Sequence, residues 1–354
     1  SQTPIVTGLY TIIFPTLVFG LLASSRLLVV GADSATAAVL AGGLTALSVS
    51  GLTPGSAEWL AWCQLVALVT GVLLLIARVF KLGFIADFLP ASVLIGFLTG
   101  VGIQVLSGQI PDMLGIPKGS GNWFEQQWAW ISSLGSANLA DVGYAVLTLA
   151  LILGFKRFIP KVPGAVVAVI LSIAISAALD SEADGVKVVG AVQGGFPPLG
   201  LPQGITLSDA VAVLGISLSC LVLIVAQSAA TARSFGAKHG DRVDVNRDIL
   251  GLSGANVAAG LTGTFVVNGS PTKTQILDSQ GGRSQVSNLV MAGITLLVAL
   301  FFTSFLAPMP SATLAAIVFL IGVDLIDFKG MRAILAQRQD EFVVAAITAV
   351  IVFA

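Results

Sequence analysis

Polar and apolar positions along this chain come in blocks rather than in alternation. Charged residues are absent from 1–25, 34–57, 88–111, 142–155, 162–179, 210–232 and 284–323. Each block suffices for about one helical crossing of a ~30 Å hydrocarbon layer, and the last suffices for two. Pro308 and Pro310 divide that last block, since proline ends one helix and suits the start of the next. The pattern predicts helices near 7–23, 34–50, 57–79, 84–106, 139–157, 162–179, 208–232, 247–264, 271–281, 284–306, 309–326 and 340–354. Two of these, 34–50 and 271–281, begin in polar sequence broken by Gly or Pro. The segment "DFKGMRAILAQRQDEF" reads as an amphipathic helix lying in the membrane interface. Lipid cannot satisfy free backbone groups, so the pattern predicts an all-α polytopic membrane protein.

Composition agrees. Hydrophobic residues make up 56% of the chain and charged residues only 10%, against about a quarter charged in a soluble domain. A net charge of −1 gives no sign of nucleic-acid binding. Cys63 and Cys220 both fall in apolar runs, and the lone His239 has no Cys or His neighbour, so no disulfide, metal or cofactor is expected. No nucleophile–base pair or phosphate-binding loop appears, which argues against an enzyme. The chain opens without an initiator Met or basic leader and closes mid-pattern, as expected for the middle of a longer protein.

Basic residues test the span count. With alternate loops facing the cytoplasm, 14 of 17 fall inside, from Arg26 through Arg78, Lys156, Arg233, Lys238 and Arg283 to Arg338. Lys118 and Lys187 fall outside, beside Asp112, Glu125, Asp180, Glu182 and Asp184. This is the asymmetry of cytoplasmic loops rich in Lys and Arg, and it supports the topology; the cell's inner (plasma) membrane is the expected location. One cation, Lys273, belongs to neither class.

Lys273 lies in one of two matching stretches. Residues 29–37 read "VVGADSATA" and 266–274 read "VVNGSPTKT". Each sets two valines before a small polar cluster and then runs into a helix, with Asp33 or Ser270 as cap and Pro271 suited to the first helical position. They open the second and ninth predicted spans, and an odd offset of seven places matching elements in opposite orientations, as in an inverted-topology repeat. Two half-helices would then present their N-termini to one point near the midplane, an anion site by virtue of unpaired N–H donors and helix dipoles. Lys273 adds a full charge there, unless it snorkels to a headgroup. Asp33 is read either as a cap alone or as a coupling site for H+ or Na+. Gln227, Ser228 and Thr231 share a helix face, with interhelical hydrogen bonding as the plainer reading of the last two. The spacing "GFLTG" at 96–100 suggests close helix packing.

The whole chain resembles the SulP, or sulfate permease, family of anion transporters and their animal solute-carrier relatives, as a bacterial member. The resemblance rests on "VTGLYTIIFPTLVFGLLASSRLLVVGADSATA", "LGFIADFLPASVLIGFLTGVGIQVLSGQIPDMLG", "AKHGDRVDVNRDILGLSGANVAAGLTGTFVVNGSPTKT" and "FKGMRAILAQRQDEF". It implies fourteen segments in two inverted sevens, with core and gate domains, commonly as a homodimer, followed by a cytoplasmic STAS domain. This chain would cover about segments two to thirteen, with a first repeat near 1–179 and a second near 208–354. The first and last helices and the STAS domain would be absent. The third and tenth segments would be the half-helices at Asp33 and Pro271. Many relatives carry Arg in the tenth segment, where this chain has Lys273, and a carboxylate in the eighth, where it has Gln227.

The reading that follows is a secondary active transporter of sulfate or a similar oxyanion or carboxylate, such as bicarbonate or a dicarboxylate, by alternating access, with H+ or Na+ as candidate coupling ions for symport. Lys273 would supply charge. Thr272, Thr274, Ser270, Ser34, Ala35 and Thr36 would supply donors around it, and Gln227 a neutral hydrogen bond. A nucleobase–proton symporter of the same architecture is the alternative, disfavoured by Gln227 and Lys273 where such sites carry carboxylates. A non-transporting anion sensor is the third reading.

Overall fold

The structure, a computed structural model, describes residues 3–47, 52–83, 90–119, 122–159 and 162–353. Expectations that fall on 48–51, 84–89 and Lys161 lie outside the described residues. Seven helices among the described residues are long and apolar enough to cross a membrane.

The predicted spans appear as α1 (Ile5–Leu22), α2 (Ser34–Ala46), α3 (Ala57–Val79), α4 (Ala91–Met113), α6 (Leu139–Phe158) and α7 (Gly164–Leu179) in the first half. In the second half, a short α8 (Leu207–Ala212) leads into α9 (Leu214–His239), then α10 (Val245–Leu261), α11 (Pro271–Ser279) and α12 (Val286–Leu297). A π turn at Val298–Phe302 carries α12 into α13 (Thr303–Leu306), and α14 (Ser311–Leu325) and α16 (Gln339–Phe353) follow. The amphipathic segment forms α15 (Phe328–Gln337), with no buried residue.

Helices α4 and α9 each run seven residues past their expected ends at 106 and 232, to Met113 and His239, and two further features depart from the expected pattern. A Trp-rich helix, α5 (Trp123–Ser132), starts at a capping box in which Asn122 and Glu125 bond each other's backbone N–H. Counting uncharged blocks long enough to span passes over such a helix. The other is a pair of two-residue strands, β1 (Val30–Gly31) and β2 (Asn268–Gly269), inside an otherwise helical protein.

By its internal contacts the chain divides into two units, Ser1–Leu94 with Gly194–Phe301, and Ile95–Gln193 with Phe302–Ala354. In the first, α3 packs on α10 and α10 on α1, around fully buried Cys63, Leu74, Leu252, Ala255 and Ala259. Gly260 lets α10 approach closely, since a β-carbon there would lie 2.4 Å from Leu68. In the second, α6, α7 and α14 enclose Tyr144, Ala145, Ala312 and Ala316.

The "GFLTG" glycines also act in the second unit. A β-carbon on Gly96 would fall 2.3 Å from the Ala345 carbonyl oxygen, and one on Gly100 2.6 Å from that of Ala349. Backbone cannot step aside cheaply, so Gly96→Ala is expected to cost about 1–3 kcal/mol of stability. Gly108→Ala, with nothing within 4 Å of the added carbon, serves as the control. Thermal unfolding in detergent checks it, and equal midpoints for the two variants would show that α4 does not pack this tightly.

Candidate functional site

The two matching stretches meet. Val30 pairs with Gly269 and Gly31 with Asn268 in an antiparallel ribbon, extended by the Ser270 N–H donating to the Val29 carbonyl at 2.9 Å. Aligning 29–37 with 266–274 makes Gly31 equivalent to Asn268, and these two are each other's partners. The ribbon is therefore centred on a local two-fold. Its strands lead away in opposite directions, so α2 and α11 leave from its two ends.

An isolated ribbon at membrane depth must find partners for its outward-facing backbone groups. The helices of the first unit supply them. From α1, the Thr16 hydroxyl donates to the Val30 carbonyl at 2.7 Å, and Thr11 accepts from the Ala32 N–H at 3.0 Å. From α10, the fully buried Asn256 grips both backbone groups of Val267. Its Oδ1 accepts from the N–H at 3.0 Å and its Nδ2 donates to the carbonyl at 3.1 Å, as a neighbouring strand would. From α9, the Ser228 hydroxyl accepts from the Gly269 N–H at 3.0 Å and donates to Asn268 Oδ1 at 2.8 Å. Gln285 and Asn288 donate their amides to the Leu28 carbonyl at 3.0 and 3.1 Å.

Thr11, Thr16, Asn256, Gln285 and Asn288 were not singled out from sequence. The signal available for Asn256 was a lone amide in the apolar run of α10, a residue type that must be paired inside a membrane. For Ser228 and Thr231 the expected helix-to-helix hydrogen bonds do not form, because closer backbone and strand partners take both hydroxyls. Ser228 clamps the ribbon, and Thr231 donates to the Gln227 carbonyl one turn back at 2.7 Å.

The helix starts carry most of the predicted site. Asp33 caps α2, its Oδ2 accepting from the Ala35 N–H at 3.1 Å, while the buried Thr36 hydroxyl donates to the Asp33 carbonyl. Ser270 caps α11, its Oγ accepting from the Lys273 N–H at 3.4 Å and lying 3.0 Å from the Thr272 hydroxyl, with Pro271 in the first helical position. Thr274 is fully buried and doubly engaged, donating to the Ser270 carbonyl at 2.7 Å and accepting from the Val29 N–H at 3.1 Å. Thr274 and the Ala35 N–H thus hold the frame. The N–H groups of Ser34, Thr36 and Thr272 have no acceptor among the described residues and remain as donors. Gln227 is buried on α9 and reaches the Gly269 carbonyl with Nε2 at 3.4 Å.

Lys273 crosses between the two starts. Its half-buried side chain passes over Gly31, and its Nζ donates to the Ala32 carbonyl, just ahead of the Asp33 cap. This hydrogen bond is to a carbonyl; among the described residues no carboxylate is within ion-pair distance of Nζ, although the nearby Asp33 carboxylate offsets part of its charge. Two helix N-termini, free N–H donors and one ammonium therefore coincide, an arrangement suited to a small anion.

The other end of α11 is anchored by a buried carboxylate. Asp278 Oδ2 accepts from Lys238 Nζ at 2.5 Å, and its Oδ1 lies 2.5 Å from His239 Nε2 and 3.1 Å from Arg283. His239 thus ties the end of α9 to the half-helix. Among the described residues no cluster of three His, Cys, Asp or Glu suits a metal ion.

The sequence matches the sulfate permease family over residues 1–348. The chain belongs to that family. It is 29% identical over 345 residues to a probable sulfate transporter of Mycobacterium tuberculosis, covering 98% of this chain and 61% of that protein. It is 28% identical over 366 residues to solute carrier family 26 member 10 of Mus musculus, covering 96% and 52%. The fold matches SLC26A9 with a TM-score of 0.78 at 22% identity, over 99% of this chain and 58% of that one. It also matches the transmembrane domain of the cyanobacterial bicarbonate transporter BicA, with a TM-score of 0.75 at 22% identity, over 99% and 88%. Like other sulfate permease family members, the protein is a multi-pass membrane protein, and the chain spans 61% of the length of its mycobacterial relative.

Proposed function

We propose that the protein is a secondary active transporter that moves a small oxyanion or carboxylate, of the size of sulfate, bicarbonate or a dicarboxylate, by alternating access. The observation that carries this reading is the meeting of two oppositely directed helix starts at Lys273. In this reading Lys273 supplies charge, the N–H groups of Ser34, Thr36 and Thr272 bind oxygens, and Gln227 contributes a neutral amide. Asp33 is the candidate coupling group for H+ or Na+. The ribbon's two-fold supports inverted repeats near 1–179 and 208–354. The first unit, which holds every residue of the site, would be the moving core and the second the gate, in a homodimeric assembly.

The test is uptake of labelled sulfate, bicarbonate and dicarboxylate by the full-length protein in proteoliposomes, with pH and sodium gradients varied independently. Concentrative uptake of at least one anion is expected. Anion binding without uptake of any would replace the transporter by a sensor.

A further inference from the structure

The helix α15 presents an unusual surface within the second unit. Its main packing partner is α16, and none of its residues is buried. Phe328, Met331, Ile334 and Leu335 share one face, with Phe328 69% and Leu335 47% exposed. Lys329 and Arg332, one turn apart, flank that face and are exposed. Two residues connect α15 to α14 and one connects it to α16. A ten-residue helix spans about 15 Å, so these short connections keep it beside the ends of α14 and α16.

The charges around it are unequally satisfied. Asp327 spends its carboxylate capping α15, accepting from the Gly330 N–H at 2.7 Å. Arg338 is paired with Asp340 at 2.6 Å and with Glu341 at 3.3 Å. Lys156, at the end of α6, lies 3.8 Å from Asp324. Lys329, Arg332 and Arg157 have no carboxylate within ion-pair distance among the described residues.

We propose that α15 is a binding surface for anionic phospholipid, its apolar face seated among acyl chains and Lys329 and Arg332 holding headgroup phosphates. Charge complementarity selects this occupant. Two unpaired cations flank exposed apolar side chains on a helix tethered at one end to α14, which is in a stretch apolar enough to cross a membrane, and at the other to α16. Phosphodiester oxygens suit Lys and Arg, and long basic side chains reach headgroups while their stems remain among apolar groups. This rests on the membrane setting alone and is independent of the site at Lys273.

The test uses the full-length protein in nanodiscs of phosphatidylcholine with one-third phosphatidylglycerol. Cys63 and Cys220 are buried, so once any accessible cysteine elsewhere in the full-length protein is replaced, a fluorophore attaches selectively at Ala336→Cys on the exposed side of α15. Quenching by quencher-labelled phosphatidylglycerol is compared with quenching by the matching phosphatidylcholine. The expected result is preferential contact with the anionic lipid by about thirtyfold, from roughly a kcal/mol for each of the two cations, weakened by salt. The preference should disappear in Lys329→Gln/Arg332→Gln and persist in Arg338→Gln, whose charge is already paired. Equal quenching by the two lipids would overturn the proposal, as would a preference that survives the double variant. A probe shielded from both lipids would assign the face to a protein partner instead.

Discussion

Lys273→Ala is expected to abolish anion uptake by the full-length protein while leaving the fold intact. The side chain is the one full positive charge at the junction of α2 and α11, and its Nζ bonds a carbonyl rather than a carboxylate. A hydrogen bond to a charged group contributes about 1.5–3 kcal/mol, which alone corresponds to roughly 10–150-fold in anion affinity. Helix dipoles supply only partial charge at each start, so the loss is not made good. Lys273→Arg keeps the charge but exchanges a compact ammonium for a planar fork, and intermediate uptake is expected. The measurement is initial-rate uptake in proteoliposomes beside thermal unfolding of the same preparations. Wild-type uptake by the alanine variant would remove Lys273 from the mechanism.

Asn256→Leu is expected to give the largest loss of stability. The asparagine is fully buried, and its amide satisfies both the N–H and the carbonyl of Val267, 11 residues further along the chain. Leucine satisfies neither. Each orphaned group costs about 1–3 kcal/mol, so a total of about 2–6 kcal/mol follows. Asn256→Asp retains an acceptor for the Val267 N–H and loses the donor, so it should fall between the two. Thermal unfolding in detergent reads the difference. An Asn256→Leu midpoint equal to wild type would mean that Val267 finds other partners and that Asn256 does not hold the ribbon.

These two residues differ in how far they could be read from the chain. Lys273 was conspicuous because it broke a pattern, a cation outside the loops that collect cations. Its half-helix was recognisable from "VVNGSPTKT" and the earlier "VVGADSATA", because caps and Pro at the first helical position are local signals. Asn256 broke no pattern that could be counted. One amide in an apolar helix says that a partner exists without saying which. Thr274 shows the converse. Its position beside Lys273 suggested substrate contact, and in the structure its hydroxyl is committed to Ser270 and Val29.

What the sequence determined by itself is the set of membrane crossings, their caps and the opposite orientation of the two half-helices. Exclusion of charge from hydrocarbon and helix-end chemistry act over a few residues, so they are written locally. Only the tertiary structure decided that Gly31 meets Asn268, and that α1, α9 and α10 supply the hydrogen bonds that keep this ribbon at membrane depth. It also decided that Asp278 draws Lys238, His239 and Arg283 to the far end of α11. Those partners lie up to about 240 residues apart in the chain. A backbone group in lipid requires a partner, but nothing in the local sequence names the one it finds.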